Sequence, residues 1–84
     1  MAPVTMYTLS TCPWCFKAKK FFSEKKVEFD FTDYDTVGPE EQKRIVAEMK
    51  ELGGSTAFPF VRIGDHVVVG YDPERYAELL GRER

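Results

Sequence analysis

Much of what would mark a scaffold, a metal site or a polyanion-binding surface is scarce in this chain. Its 84 residues hold two cysteines, one histidine and one tryptophan. Two cysteines are too few for the disulfide framework that small secreted domains use in place of a large core. Zinc takes four ligands, and both cysteines with the single histidine, His66, fall short of that number. A cysteine hydrolase would have to use the same His66 as its base. Charge of one sign is also missing. Lys+Arg 12 against Asp+Glu 14 gives a net −2, so no nucleic-acid partner is expected. No apolar run approaches the roughly 20 residues of a spanning helix, so no membrane partner is expected either. Met1-Ala2-Pro3 has no basic stretch leading into an apolar one, so no secretory leader and a cytoplasmic location are expected. There is no internal repeat and no low-complexity tract.

What is present is an ordinary globular balance, 43% hydrophobic and 31% charged. The length suits a single domain over residues 1–84, with a monomer expected. Val4 to Leu9 is apolar and β-prone, and it is closed by Ser10-Thr11. A helix should begin at Pro13, with Cys15, Ala18 and Phe22 on its inner face, and end near Lys25-Lys26. Val27, Phe29 and Phe31 alternate with polar residues, as in a half-buried edge strand. Gly38-Pro39 opens a second helix with the stripe Ile45, Val46, Met49 and Leu52, and Gly53-Gly54 stops it. Phe60–Ile63 and His66–Val69 flank Gly64-Asp65, which suits a type II′ hairpin turn, with type I′ as the alternative. Asp72 caps a third helix that starts at Pro73, carries Tyr76, Leu79 and Leu80 inward, and should end at Gly81. The order β-α-β-α-β-β-α predicts an α/β fold, a four-stranded mixed sheet with helices on both faces.

The cysteines stand as Cys12-Pro13-Trp14-Cys15, where the first strand meets the first helix. A disulfide across so small a loop would add little stability, which favours chemistry over structure. The thiolate is the reactive form of cysteine, and a free thiol is only about 3% ionised at neutral pH. A helix N-terminus lowers thiol pKa values to about 3.5–7.5. Helical spacing sets Cys15 one turn deeper, on the buried face. The pair therefore divides into an exposed attacking sulfur, Cys12, and a shielded resolving one, Cys15. Trp14 is expected to stand exposed beside Cys12 as an apolar rim. Among the lysines of the first helix, Lys19 is best placed by spacing to support the Cys12 sulfur.

Over almost its whole length the sequence resembles the glutaredoxins, thioredoxin-fold redox proteins. The resemblance is carried by Tyr7-Thr8-Leu9-Ser10-Thr11-Cys12-Pro13-Trp14-Cys15, by Gly53-Gly54-Ser55-Thr56-Ala57-Phe58-Pro59, and by Gly70-Tyr71-Asp72. It implies a thioredoxin-like fold and thiol–disulfide exchange with catalytic Cys12 and Cys15. It implies that Pro59 follows a cis bond and faces the cysteines, and that Phe58 offers its backbone to the substrate as an added strand would. Trp14, Phe58, Pro59, Tyr71 and Asp72 are the implied substrate- or glutathione-binding residues. Implied partners are disulfide-containing or glutathionylated proteins. No bound cofactor and no metal are expected, with glutathione as co-substrate. A [2Fe–2S] cluster shared by two copies is a less favoured reading, since one exposed thiolate per chain supplies too few ligands.

The sequence departs from the family pattern where glutathione would bind. Leu9 stands in place of the usual lysine, and leucine cannot pair with a carboxylate. Lys50 is a candidate substitute. At the start of the third helix, Asp72 brings its own carboxylate and Pro73 removes a donor where the family binds an anion. Gly70-Tyr71-Asp72-Pro73 is more similar to the redoxins that serve ribonucleotide reductase and are reduced by thioredoxin reductase. A thioredoxin-reductase-like flavoenzyme is therefore the alternative electron donor to glutathione.

Overall fold

A computed structural model of the chain describes residues 4–82. The elements follow the order β1 (Val4–Thr8), α1 (Pro13–Glu24), β2 (Asp30–Asp33), a single 3-10 turn (Tyr34–Thr36), α2 (Pro39–Gly53), β3 (Phe60–Ile63), β4 (His66–Val69) and α3 (Pro73–Arg82). The sheet order is β2-β1-β3-β4. β1 and β2 are parallel, while β3 runs antiparallel to both β1 and β4. This is the four-stranded mixed sheet that the element order predicts, and the thioredoxin-like fold that the resemblance implies.

Strand periodicity sends alternate side chains to opposite faces, and each face meets different helices. Val4 and Met6 of β1, Val61 and Ile63 of β3, and Val68 of β4 pack with Ala18 and Phe22 of α1 and Tyr76 and Leu79 of α3. Phe60 forms a second cluster with Ile45 and Met49 of α2, joined by Tyr7 and Val67. Helices thus cover both faces. Gly53 closes this second cluster: a Cβ at that position would lie 2.6 Å from a Phe60 ring carbon. Only glycine lets the end of α2 come so near β3.

Two local expectations are corrected. The second strand starts at Asp30, not at Val27. Before it, the chain is still finishing α1: Lys26 takes a left-handed φ of 59°, and the Val27 amide bonds the Phe22 carbonyl. Val27 and Phe29 pack on the core from this connection. Pairing with β1 then runs from Thr5↔Asp30 to Thr8↔Asp33. Gly81 does not end α3, which continues to Arg82. Gly54, Gly64 and Gly70 are the glycines with positive φ, so Gly81 does not adopt the left-handed cap that would stop a helix.

The hairpin and the caps match the sequence reading. Gly64 has φ 60° and Asp65 is not left-handed, the pattern of a type II′ turn. Gly54, at φ 67°, returns its amide to the Lys50 carbonyl and ends α2. Asp72 Oδ1 accepts the Arg75 amide at 3.1 Å, capping α3.

Candidate functional site

The Cys12 amide bonds the Leu9 carbonyl at 3.2 Å, which turns the chain from β1 into α1. Asp35 secures this turn from the other side. It accepts the Ser10 hydroxyl at 2.6 Å and the Ser10 amide at 2.9 Å. Those bonds hold the Asp35 carboxyl below its ordinary range, the hydroxyl contributing most.

Cys12 is the N-cap of α1, with extended backbone at φ −86° and ψ 115°. Its Sγ accepts the Cys15 amide at 3.3 Å, the role a serine or aspartate oxygen usually plays. A negatively charged sulfur accepts such a bond better than a neutral one. Pro13 follows at the first helical position, where its missing N–H costs nothing. Both cysteines are unpaired thiols. Cys12 is partly exposed, whereas Cys15 is fully enclosed at 0%. Burial pushes the Cys15 thiol up to about 12, with the hydrogen bond to Cys12 acting in the same direction. The two sulfurs are therefore unequal in the way their spacing predicts.

The other sequence-predicted residues fall into two groups. Trp14 is 54% exposed, and its ring lies 5.9 Å from that of Tyr71. These aromatics come from α1 and from the turn before α3. Pro59 is buried, and the Phe58–Pro59 peptide is cis. The Gly70 amide bonds the Pro59 carbonyl at 2.8 Å, tying the proline loop to that same turn. Phe58 is half-buried, its ring 5.5 Å from Tyr34, so its side chain packs in the second cluster. No turn, cap or loop hydrogen bond uses the Phe58 amide or carbonyl among the described residues. Asp72 is exposed and occupied by its own helix, through the Arg75 amide. Lys50 lines a separate open groove of about 460 Å³ with Tyr34, Gln42 and Lys43.

Lys19 has contacts that the sequence reading did not name. Its nearest ionic partner is Asp33, at 3.4 Å, and its ammonium sits 3.7 Å from the Phe31 ring centre. Asp33 in turn accepts the hydroxyl of Thr8, a fully buried residue, at 2.5 Å. This Thr8–Asp33–Lys19 network joins β1, β2 and α1 just behind the cysteine turn. The sequence signal was the hydroxyl at the end of an otherwise apolar strand, but its partner lies 25 residues away.

With this geometry in view, comparisons with known proteins agree. The glutaredoxin family model matches residues 4–68. The chain belongs to the glutaredoxin family. A glutaredoxin of Pseudomonas aeruginosa is 32% identical over 98% of this chain and 92% of its own length. The glutaredoxin-like protein NrdH of Lactococcus lactis is 32% identical over 90% of this chain and 97% of its own. The crystal structure of an Archaeoglobus fulgidus glutaredoxin superposes with a TM-score of 0.87 at 38% identity, covering 95% of this chain and 87% of that one. Glutaredoxins are generally thiol–disulfide oxidoreductases, and this one presents the two thiols such chemistry requires. No helix among its described residues is long and apolar enough to cross a membrane.

The enclosed thiol makes this glutaredoxin's stability depend on alkaline pH. The folded value for Cys15, about 12, lies above its ordinary 9.0. Below the ordinary value both states are protonated and stability is unaffected. Above it the unfolded chain ionises first, so stability falls as pH rises toward the folded value. Tyr7, also pushed up to about 12 by burial and by its bond to Glu48, acts in the same direction. Buried Tyr76, raised by desolvation, adds to it. Cys15 alone is expected to cost about 1–2 kcal/mol by about pH 10. Urea midpoints under a phosphine reductant measure this, and Cys15→Ala should flatten the slope between about pH 8 and about pH 10. An unchanged slope in that variant would contradict the assignment.

Proposed function

We infer that this protein reduces protein disulfides and glutathione mixed disulfides through Cys12 and Cys15. The observation that carries this reading is the inequality of the two sulfurs, one at the exposed cap and one enclosed a turn deeper. Cys12 thiolate attacks one sulfur of the substrate disulfide and expels the other as a thiolate. Cys15 then gives up its proton and attacks the Cys12 sulfur of the mixed disulfide, releasing the reduced substrate. Two electrons pass from the dithiol to the substrate, and Cys12 and Cys15 remain as a disulfide. Trp14 and Tyr71 form an apolar rim for the entering sulfur. The backbone at Phe58, before the cis Pro59, supplies an unused donor and acceptor for an extended substrate segment.

A second reading concerns the electron donor, and Asp72 favours it. The start of α3 would hold an anion with its free amides, yet the Asp72 carboxylate already takes the Arg75 amide and Pro73 has none. Leu9 offers no cation on the strand side. Glutathione would therefore meet a weakened site, and a thioredoxin-reductase-like flavoenzyme is the proposed donor. The NrdH relative suits this reading and makes ribonucleotide reductase a candidate target.

Two outcomes test these readings. Cys12→Ser should abolish both activities, while Cys15→Ser should lose protein-disulfide reduction and keep deglutathionylation, each followed with a defined substrate. Equal loss of both activities in Cys15→Ser would contradict the single-thiol branch. For the donor, turnover with NADPH and thioredoxin reductase should exceed turnover with glutathione and its reductase by about tenfold or more. Fast glutathione-coupled turnover with no flavoenzyme coupling would overturn the second reading.

A further inference from the structure

Beyond the cysteine turn, α1 has an outer face that the chemistry above does not use. Phe16 follows Cys12 by one helical turn, its amide bonding the Cys12 carbonyl, so it lies on the same side of the helix. It is 53% exposed, and Phe31 on the edge strand β2 is 49% exposed. A large apolar ring left half in water at one such position is unremarkable, but α1 and the neighbouring β2 edge expose three, Trp14, Phe16 and Phe31. The Lys19 ammonium sits between two of them, 3.7 Å from the Phe31 centroid and 5.6 Å from that of Phe16. Lys17 lies 4.3 Å over the Trp14 ring. Lys19 thus joins Phe16 to Phe31, while Lys17 and Trp14 form a separate pair.

The charge of that face is one-sided. From Pro13 to Ser23 α1 carries Lys17, Lys19 and Lys20 and no acid. Asp33 pairs with Lys19 only, and among the described residues neither Lys17 nor Lys20 has a carboxylate partner. The acids near the cysteine turn stand on other elements: Asp35 is bound to Ser10, and Asp72 caps α3. The chain as a whole is net negative, −2, so this is a local positive field on an acidic molecule.

We propose that the face formed by Phe16 and Phe31 with Lys17 and Lys20 docks target proteins whose disulfide lies in an acidic segment bearing apolar side chains. The rings supply apolar anchors of the kind that dominate interface energy, and the free ammonium groups select the sign of the partner's charge. This rests on the disulfide-reductase reading and adds the substrate class to it.

The test is single-turnover reduction by the pre-reduced protein, quenched in acid and read by mass, so no electron donor enters. Two synthetic peptides share one disulfide ring and differ in acidic or basic flanks, and hydroxyethyl disulfide serves as the small neutral probe. The acidic peptide should react about tenfold faster than the basic one at low ionic strength, and the ratio should approach one in about 0.5 M salt. The Phe16→Ser, Lys20→Glu double variant changes only exposed positions. It should lose the preference while reducing hydroxyethyl disulfide at the unaltered rate, and Phe31→Ser should lower the acidic-peptide rate on its own. Equal peptide rates in the parent protein, or a preference that survives in the double variant, would overturn the proposal. Failure to reduce any of the three disulfides would instead overturn the reductase reading, and the docking proposal with it.

Discussion

One hydrogen bond, from the Cys15 amide to the Cys12 sulfur, sets the geometry on which the site depends. It requires Cys12 to be non-helical at the end of a strand and Cys15 to be helical one turn later. It therefore places one sulfur at the protein surface and the other beneath α1 without any further device. The remaining structure serves that junction. β1 delivers the turn, Asp35 fastens it through Ser10, and the Thr8–Asp33–Lys19 network ties strand and helix together behind it. Tyr76 donates to the Gly70 carbonyl and so holds the start of α3 beside the same region.

The division of the sheet explains how the site tolerates so small a core. One face carries α1 and α3 over the larger apolar cluster, and the other carries α2 alone over Phe60. The cis Pro59 is tied to the turn before α3 by the Gly70 to Pro59 bond, and Tyr71 of that turn lies against Trp14 in the cysteine motif. Polar groups drawn inside are matched there, and among the described residues no buried side-chain nitrogen or oxygen is left without a partner. The Cys15 thiol is enclosed as well, and burial raises its proton affinity.

Features written in neighbouring residues were legible in the sequence. Pro13 and Pro73 at first helical positions, the Gly64 turn and the Asp72 cap each depend on a few adjacent residues, and each stands in the structure. The features that were missed depend on partners distant in sequence. Lys19 turned to Asp33 and Phe31, which only the folded sheet brings within reach. Phe31 is exposed on a strand that is an edge of the sheet among the described residues, whereas apolar patterning alone assigned it to a half-buried strand. Gly81 looked like a helix stop, yet a glycine stops a helix only when the chain beyond it turns away.

The most direct measurement of the unequal sulfurs is the rate at which iodoacetamide labels each cysteine of the reduced, folded protein at neutral pH, resolved by peptide mass. Cys12 should be labelled faster than Cys15 by about two orders of magnitude, and unfolding in urea should bring the two rates together. Comparable labelling of both cysteines in the folded protein would contradict the account.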